Sequence, residues 1–153
     1  MVRLACHSDI PHLLALGEAM HGESRYAALP WDARKVHALI AQLIESPDGL
    51  VLVADLQDGE PCGGLLACVD EHFATSARVA YDFAVFVTPG RRGSVLGRCL
   101  LDTYVEWARS RGADLIQVGI TTGVHVEAAT RLYESAGFLP VGPLFEHRGA
   151  THA

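Results

Sequence analysis

The sequence has no paired cysteines. Cys6, Cys62, Cys68 and Cys99 are scattered, none forms a C-x-x-C pair, and each sits in or beside an apolar run. That spacing offers no disulfide framework and predicts free, buried thiols in a reducing compartment. Histidines are dispersed from His7 to His152 without H-x-x-x-H or H-E-x-x-H spacing, so no metal site is expected. Basic residues are in the minority, 12 against 18 acidic, for a formal charge of −6. Such a balance argues against non-specific nucleic-acid binding, which needs a net basic face. No apolar run reaches the ~18 residues of a membrane span, so no membrane partner is expected. After Arg3 only Leu4-Ala5-Cys6 precede polar His7-Ser8-Asp9, so a signal peptide is not expected and the location predicted is cytoplasmic. Repeats, low-complexity tracts and linkers are absent, and 153 residues fit one domain spanning 1–153. Half of the residues are apolar, enough for a core without disulfides or metal.

What is present is a regular alternation of elements. Val2 to Cys6 reads as a short strand. Ser8 or Asp9 can cap the next helix, with Pro11 in its first turn, where a missing N–H costs little. Ile10, Leu13, Leu14, Leu16 and Met20 form its stripe. Asp32 can cap a second helix carrying Val36, Leu39, Ile40, Leu43 and Ile44. Leu50–Asp55, Cys62–Val69 and Arg78–Val87 read as an antiparallel meander, with Asp58-Gly59 as a hairpin turn. Gly63-Gly64 suggests a bulge or a close backbone approach. A helix over Ser94–Arg111 follows, then a strand over Asp114–Ile120, a helix over Val124–Ala136 closed by Gly137, and a last strand over Phe138–Arg148 interrupted by Gly142-Pro143. The order βααβββαβαβ predicts an α+β fold, a mixed, mostly antiparallel central sheet flanked by helices.

The richest stretch is Val85 to Gly97, VFVTPGRRGSVLG. A strand ends at Thr88-Pro89-Gly90, two arginines and a Gly/Ser turn follow, and a helix begins. A helix N-terminus has unpaired N–H groups and the positive end of a dipole, so this junction suits a phosphate or pyrophosphate.

Val85 to Arg98 is similar to the acetyl-CoA motif V-x-P-x-x-R-G-x-G-x-G of the GNAT superfamily of acyl-CoA-dependent N-acyltransferases. Leu132-Tyr133-Glu134-Ser135-Ala136-Gly137-Phe138 resembles that family's L-Y-E-x-x-G-F. The match covers roughly Asp82 to Gly142, while the preceding part agrees in element order. The resemblance implies a pyrophosphate wrapped by main-chain N–H groups at Arg92, Gly93, Ser94, Val95, Leu96 and Gly97, with Arg92 or Arg98 adding a charge-assisted contact. It implies that Val85, Phe86 and Val87 splay from the following strand and hold the pantetheine amides, with an N–H near Phe86-Val87 polarising the acetyl carbonyl. Tyr133 matches the tyrosine that protonates the departing thiolate. Asp82 is the first choice for general base, with Tyr81, Glu71 and His72 nearby; Tyr81 and Asp82, being adjacent on a strand, face opposite sides.

Two positions depart from the pattern. Val95 replaces the middle glycine. Val126 stands where many members carry a cofactor-contacting asparagine, a contact that His125 or Glu127 would have to supply. The activity implied is acetyl transfer from acetyl-CoA, used as co-substrate without metal, to a primary amine by direct attack in a ternary complex. The amine belongs to a small molecule, a protein N-terminus or a lysine. The acceptor cleft is expected between the first helices and the third strand, with Glu18, His21, Glu23, Arg25, Tyr26 and Trp31 as lining. A non-catalytic acyl-CoA-binding module and an interaction domain that kept only the fold are the alternatives. Exposed strand edges suggest a homodimer.

Overall fold

Val51 and Val53 point to one side of the sheet and Leu50, Leu52 and Ala54 to the other, and all five are essentially inaccessible. A strand buried on both faces needs no polar alternation, which is why Leu50–Ala54 reads as an unbroken apolar run. This is β2 (Gly49–Asp55) of a computed structural model that describes residues 1–149. The strands β1 (Val2–Leu4), β2, β3 (Pro61–Glu71), β4 (Arg78–Val87) and β5 (Leu115–Ile116) lie in sequential order in one sheet, antiparallel except for the parallel β4–β5 pair.

Helices α1 (Ile10–Glu23) and α2 (Ala33–Glu45) cover one face, where Ile10, Leu13, Ile40 and Leu43 pack on Val51, Val53 and Leu66. On the other face α3 (Leu96–Ser110) presses Leu100, Tyr104 and Ala108 onto Leu50, Leu52, Leu65 and Ala67. Each fully buried leucine contributes about 1.5–3 kcal/mol, so both layers are well supported. Helix α4 (Val126–Ser135) packs beside α3. The fold class is the expected α+β arrangement.

Several local expectations are corrected. Asp9 does not cap α1 with its side chain. Its carboxylate accepts the Cys6 N–H (2.8 Å) and both Nη atoms of Arg3 (2.8 and 2.9 Å), while Arg3 Nε reaches Asp55 (2.5 Å). The charged partner outcompetes the helix amides, and Arg3 holds the Asp9 carboxyl well below its ordinary range. Asp32 does cap α2, accepting from Lys35 N–H at 3.1 Å. Of the cysteines expected to be buried, Cys62 is, whereas Cys6 and Cys99 are exposed. The buried side of α3 runs through Gly97, Leu100, Leu101, Tyr104 and Ala108.

The last strand of the expected order is not formed. Residues 138–149 are irregular, and Leu139, Val141, Leu144 and Phe145 are exposed. Pro140 and Pro143 remove two ladder donors there, and no buried face repays ordering. The strand expected over Asp114–Ile120 shrinks to Leu115–Ile116. No helix among the described residues is long and apolar enough to cross a membrane.

Candidate functional site

The site begins with an extra residue in β4. Ala67 pairs with Asp82 and Leu66 with Ala84, leaving Phe83 as a bulge. Its effect is visible in the packing. Before the bulge Ala80 faces the α3 side; after it Val85 and Val87 do, and Ala84 and Phe86 turn to the α1–α2 side. A bulge bends its strand and increases local twist. β5 stays paired with β4 only at Val79–Leu115 and Ala80–Ile116, with a final bond from Gln117 N–H to Ala80 O (2.8 Å). Beyond that point the two segments diverge.

Side chains tether the segment that leaves the ladder. The Tyr104 hydroxyl, on a fully buried residue, donates to Gln117 O at 2.7 Å. The Tyr133 hydroxyl donates to Gly119 O at 3.1 Å, and Gly119 N–H donates to Asp82 Oδ1 at 2.9 Å. These bonds satisfy main-chain groups that would otherwise lack ladder partners. Burial pushes the Asp82 carboxyl up to about 6, and the Gly119 N–H only partly offsets that rise. Burial, and secondarily the Asp82 charge, pushes the Tyr133 phenol above its ordinary range.

Tyr133 is positioned by the end of its own helix. Gly137 has φ +92°, a conformation that costs other residues, and it allows Phe138 N–H to bond Tyr133 O (3.0 Å) while Gly137 N–H bonds Glu134 O (3.0 Å). That Schellman pairing brings the Phe138 and Tyr133 rings to 6.3 Å. At the other end of the site, Pro89–Arg91 form a 3₁₀ turn and α3 begins at Leu96. Gly97 lets α4 approach α3; a Cβ there would stand 2.9 Å from Leu132 Cδ2.

The divergence opens a cavity of about 700 Å³ between β4, the arginine loop, the 119–125 segment and α4. Asp82, Tyr133, Val85, Phe86, Val87, Arg92, Gly93, Ser94 and Gly97 all line it. Val95, Leu96 and Arg98 do not: Val95 is exposed, and Arg98 Nε is paired with Asp102 (2.9 Å) one turn along α3. Of the residues expected at the acceptor end, Glu23 lines the cavity, while Glu18, His21, Arg25, Tyr26 and Trp31 do not. Arg25 instead bridges loops, bonding Thr121 O and Glu146 and stacking on Tyr26. Tyr81 stands outside the cavity and packs on Phe83, so it and Asp82 do part across the strand.

Sequence reasoning gave no role to the Gly119–Thr122 wall, although GITTG after a strand marks a loop at its end. His125 also lines the cavity, with φ +46° at the start of α4, a left-handed conformation uncommon outside glycine.

Arg91, Arg92 and Glu23 stand at the loop end of the lining, and Asp82 is its other carboxylate. Arg92 Nε donates to Val87 O (3.1 Å), and both its Nη atoms are paired with Glu23, the Nη1 contact at 3.2 Å. A coenzyme A thioester fits these features. Nothing stands within 4 Å of where a Cβ on Gly93 would be, which leaves room for phosphate against the loop backbone. Among the described residues, the β5-side edge of β4 beyond Asp82 lacks a strand partner, as an extended amide-bearing chain requires. Among the described residues, no cluster of His, Cys, Asp and Glu could hold a metal ion.

The sequence pattern of the acetyltransferase (GNAT) family matches residues 17–138. An IAA acetyltransferase of Azospirillum brasilense is 29% identical over 119 residues, covering 78% of this chain and 73% of that protein. Among solved structures, an aminoglycoside acetyltransferase from an uncultured soil metagenomic sample superposes with TM-score 0.71 at 23% identity, covering 98% of both chains. The aminoglycoside antibiotic 6′-N-acetyltransferase of Acinetobacter baumannii does so with TM-score 0.75 at 16% identity, covering 99% of both. At such identities the two structures establish likeness of fold.

Proposed function

This chain belongs to the GNAT acetyltransferase family, and from that premise we propose that it transfers an acetyl group from acetyl-CoA to a primary amine by direct attack within one ternary complex. The observation that carries this reading is the joint placement of Asp82 and Tyr133 on Gly119, in the wall of the same cavity that Arg92, Gly93 and Ser94 line.

Acetyl-CoA supplies a thioester carbonyl and a thiolate leaving group. Arg92 and the backbone at Gly93-Ser94 bind its phosphates, and the free edge of β4 at Val85–Val87 orients its amide-bearing arm. An amine attacks only as the free base, so a proton must leave it. Asp82, titrating near 6, is charged at neutral pH and still basic enough to accept that proton. The N–C bond forms, the C–S bond breaks, and the Tyr133 O–H turns from Gly119 O to donate its one proton to the departing sulfur. Its raised pKa keeps that proton in place at every working pH.

The acceptor is an amine-bearing small molecule in this reading. The IAA and aminoglycoside acetyltransferases named above bear names of chemically different acceptors, so its identity is sought in this chain's own cavity. An acyl-CoA-binding module without turnover is the second reading. It is favoured by the fact that Asp82 and Tyr133 also serve as tethers for the 117–119 segment.

Titration of thermal stability with acetyl-CoA and CoA tests the cofactor site. At a hundredfold excess over Kd, linkage gives about 2.7 kcal/mol, or roughly 5–10 °C in Tm. Thiol release with a panel of primary amines then separates the readings: turnover supports the transferase, and stabilisation without turnover supports the module. No response to either ligand would sink both.

A further inference from the structure

Glu23 is the last residue of α1. A carboxylate there faces the negative end of the helix dipole, so the position disfavours it unless a cation stands close by. That cation is Arg92, which arrives from the arginine loop far along the chain. The pairing engages both Nη atoms of Arg92, and Nε is taken by Val87 O. These contacts use three of the five N–H donors of Arg92, so a phosphate at the loop competes with Glu23 for the same guanidinium. A diphosphate carries more charge than one carboxylate and accepts bidentate hydrogen bonds from guanidinium, so it takes the arginine.

Release leaves Glu23 in need of a partner. Its side chain is only 34% exposed, and it lines the cavity with Met20 and Phe83. Arg91, the other arginine in the lining, stands on the same loop as Arg92 and is drawn to the same anion. The other carboxylate in the lining is Asp82, which is assigned to the reacting nitrogen. That nitrogen must be neutral when it attacks. A carboxylate that remains charged therefore has to hold a different ammonium.

We propose that Glu23 is the specificity residue for the acceptor, exchanged from Arg92 to a second ammonium of a polycationic amine when the cofactor's phosphates bind. This rests on the acetyl-transfer reading above. The exchange makes occupancy of the two substrates cooperative: the phosphates free Glu23, and the amine keeps it from competing for Arg92.

Calorimetric binding of CoA, without turnover, is the first test. Glu23→Gln removes the competitor for Arg92 and should tighten CoA about fivefold, the scale of one ion pair of about 1 kcal/mol. Arg92→Gln should weaken CoA, and Glu23→Gln should then have no further effect in that background. With CoA saturating, 1,6-diaminohexane should bind the wild-type protein about tenfold more tightly than hexylamine, and Glu23→Gln should abolish that preference. No CoA binding by the wild-type protein overturns the acetyl-transfer reading and this proposal together. CoA binding that Arg92→Gln weakens but Glu23→Gln does not tighten overturns the exchange alone. Equal or undetectable binding of the two amines overturns the acceptor assignment.

Discussion

Asp82 and Tyr133 grip one residue from two sides: the carboxylate accepts the Gly119 N–H at 2.9 Å and the phenol donates to the Gly119 carbonyl at 3.1 Å. One peptide segment thus fixes the spacing of a carboxylate and a phenol, the proposed base and donor, that come from different elements, β4 and α4. Movement of Gly119 would displace both partners together.

Tyr133→Phe separates donation to the leaving group from tethering. The variant should lose about 100-fold in kcat while CoA affinity stays within about twofold. The lost bond to Gly119 O should cost about 0.5–1.5 kcal/mol in urea denaturation. Full activity would leave Tyr133 as a tether only.

The pH dependence of Asp82 has a definite sign. Its carboxyl titrates near 6 in the folded chain, against an ordinary 3.8 when unfolded. Between those values the folded state holds a proton that the unfolded state has lost, so this group's contribution to stability falls as pH rises from about 4 to about 6. The loss is on the order of 2–3 kcal/mol. Asp82→Asn should remove that slope while keeping an oxygen for Gly119 N–H. Comparing urea denaturation of the two proteins at pH 4.5 and 7.5 checks it; parallel profiles would refute a raised carboxyl. In kcat/KM the wild-type activity should rise through the same pH region.

Gly137→Ala tests whether a helix terminus positions Tyr133. The φ of +92° is costly for alanine, although no neighbour obstructs its methyl group. Destabilisation of about 1–2 kcal/mol is expected, together with a fall in kcat that exceeds any change in CoA affinity. A stability loss with unchanged kcat would confine Gly137 to helix termination.

Arg3→Ala addresses the far side of the sheet. It leaves the Asp9 carboxylate buried beside Asp55 without its cation. The expected loss is about 2 kcal/mol, read by urea denaturation, and it should shrink as pH falls and Asp9 takes up a proton. A cost independent of pH would mean that packing of the arginine stem dominates.

Much of this architecture is legible in the sequence because it depends on local signals. The meander is marked by apolar runs and Asp58-Gly59, α2 by the Asp32 cap, and α4 by Gly137. The bulge at Phe83 is not legible. Phe83-Ala84-Val85 contains no glycine or turn residue, and the reversal of alternation shows only in what packs on either face. The Glu23–Arg92 pair joins residues 69 apart, a separation no periodicity reports. Tyr104 lies on an amphipathic helix and reads as core; its bond to Gln117 depends on where β5 leaves the sheet. For residues 138–148 the apolar pattern resembles a strand, but Pro140 and Gly142-Pro143 break it and no strand among the described residues pairs with it.

Residues 117–119 are moored by Tyr104, Tyr133 and Asp82 after the ladder ends. A ladder would hold neighbouring strands about 4.8 Å apart whatever their side chains. Moorings made of side chains have adjustable length, so the aperture beside β4 is set by residue choice at three positions. Substitution at Asp82 or Tyr133 can widen or narrow the entrance for a longer or shorter acyl group, whereas Tyr104 is also part of the apolar layer under α3.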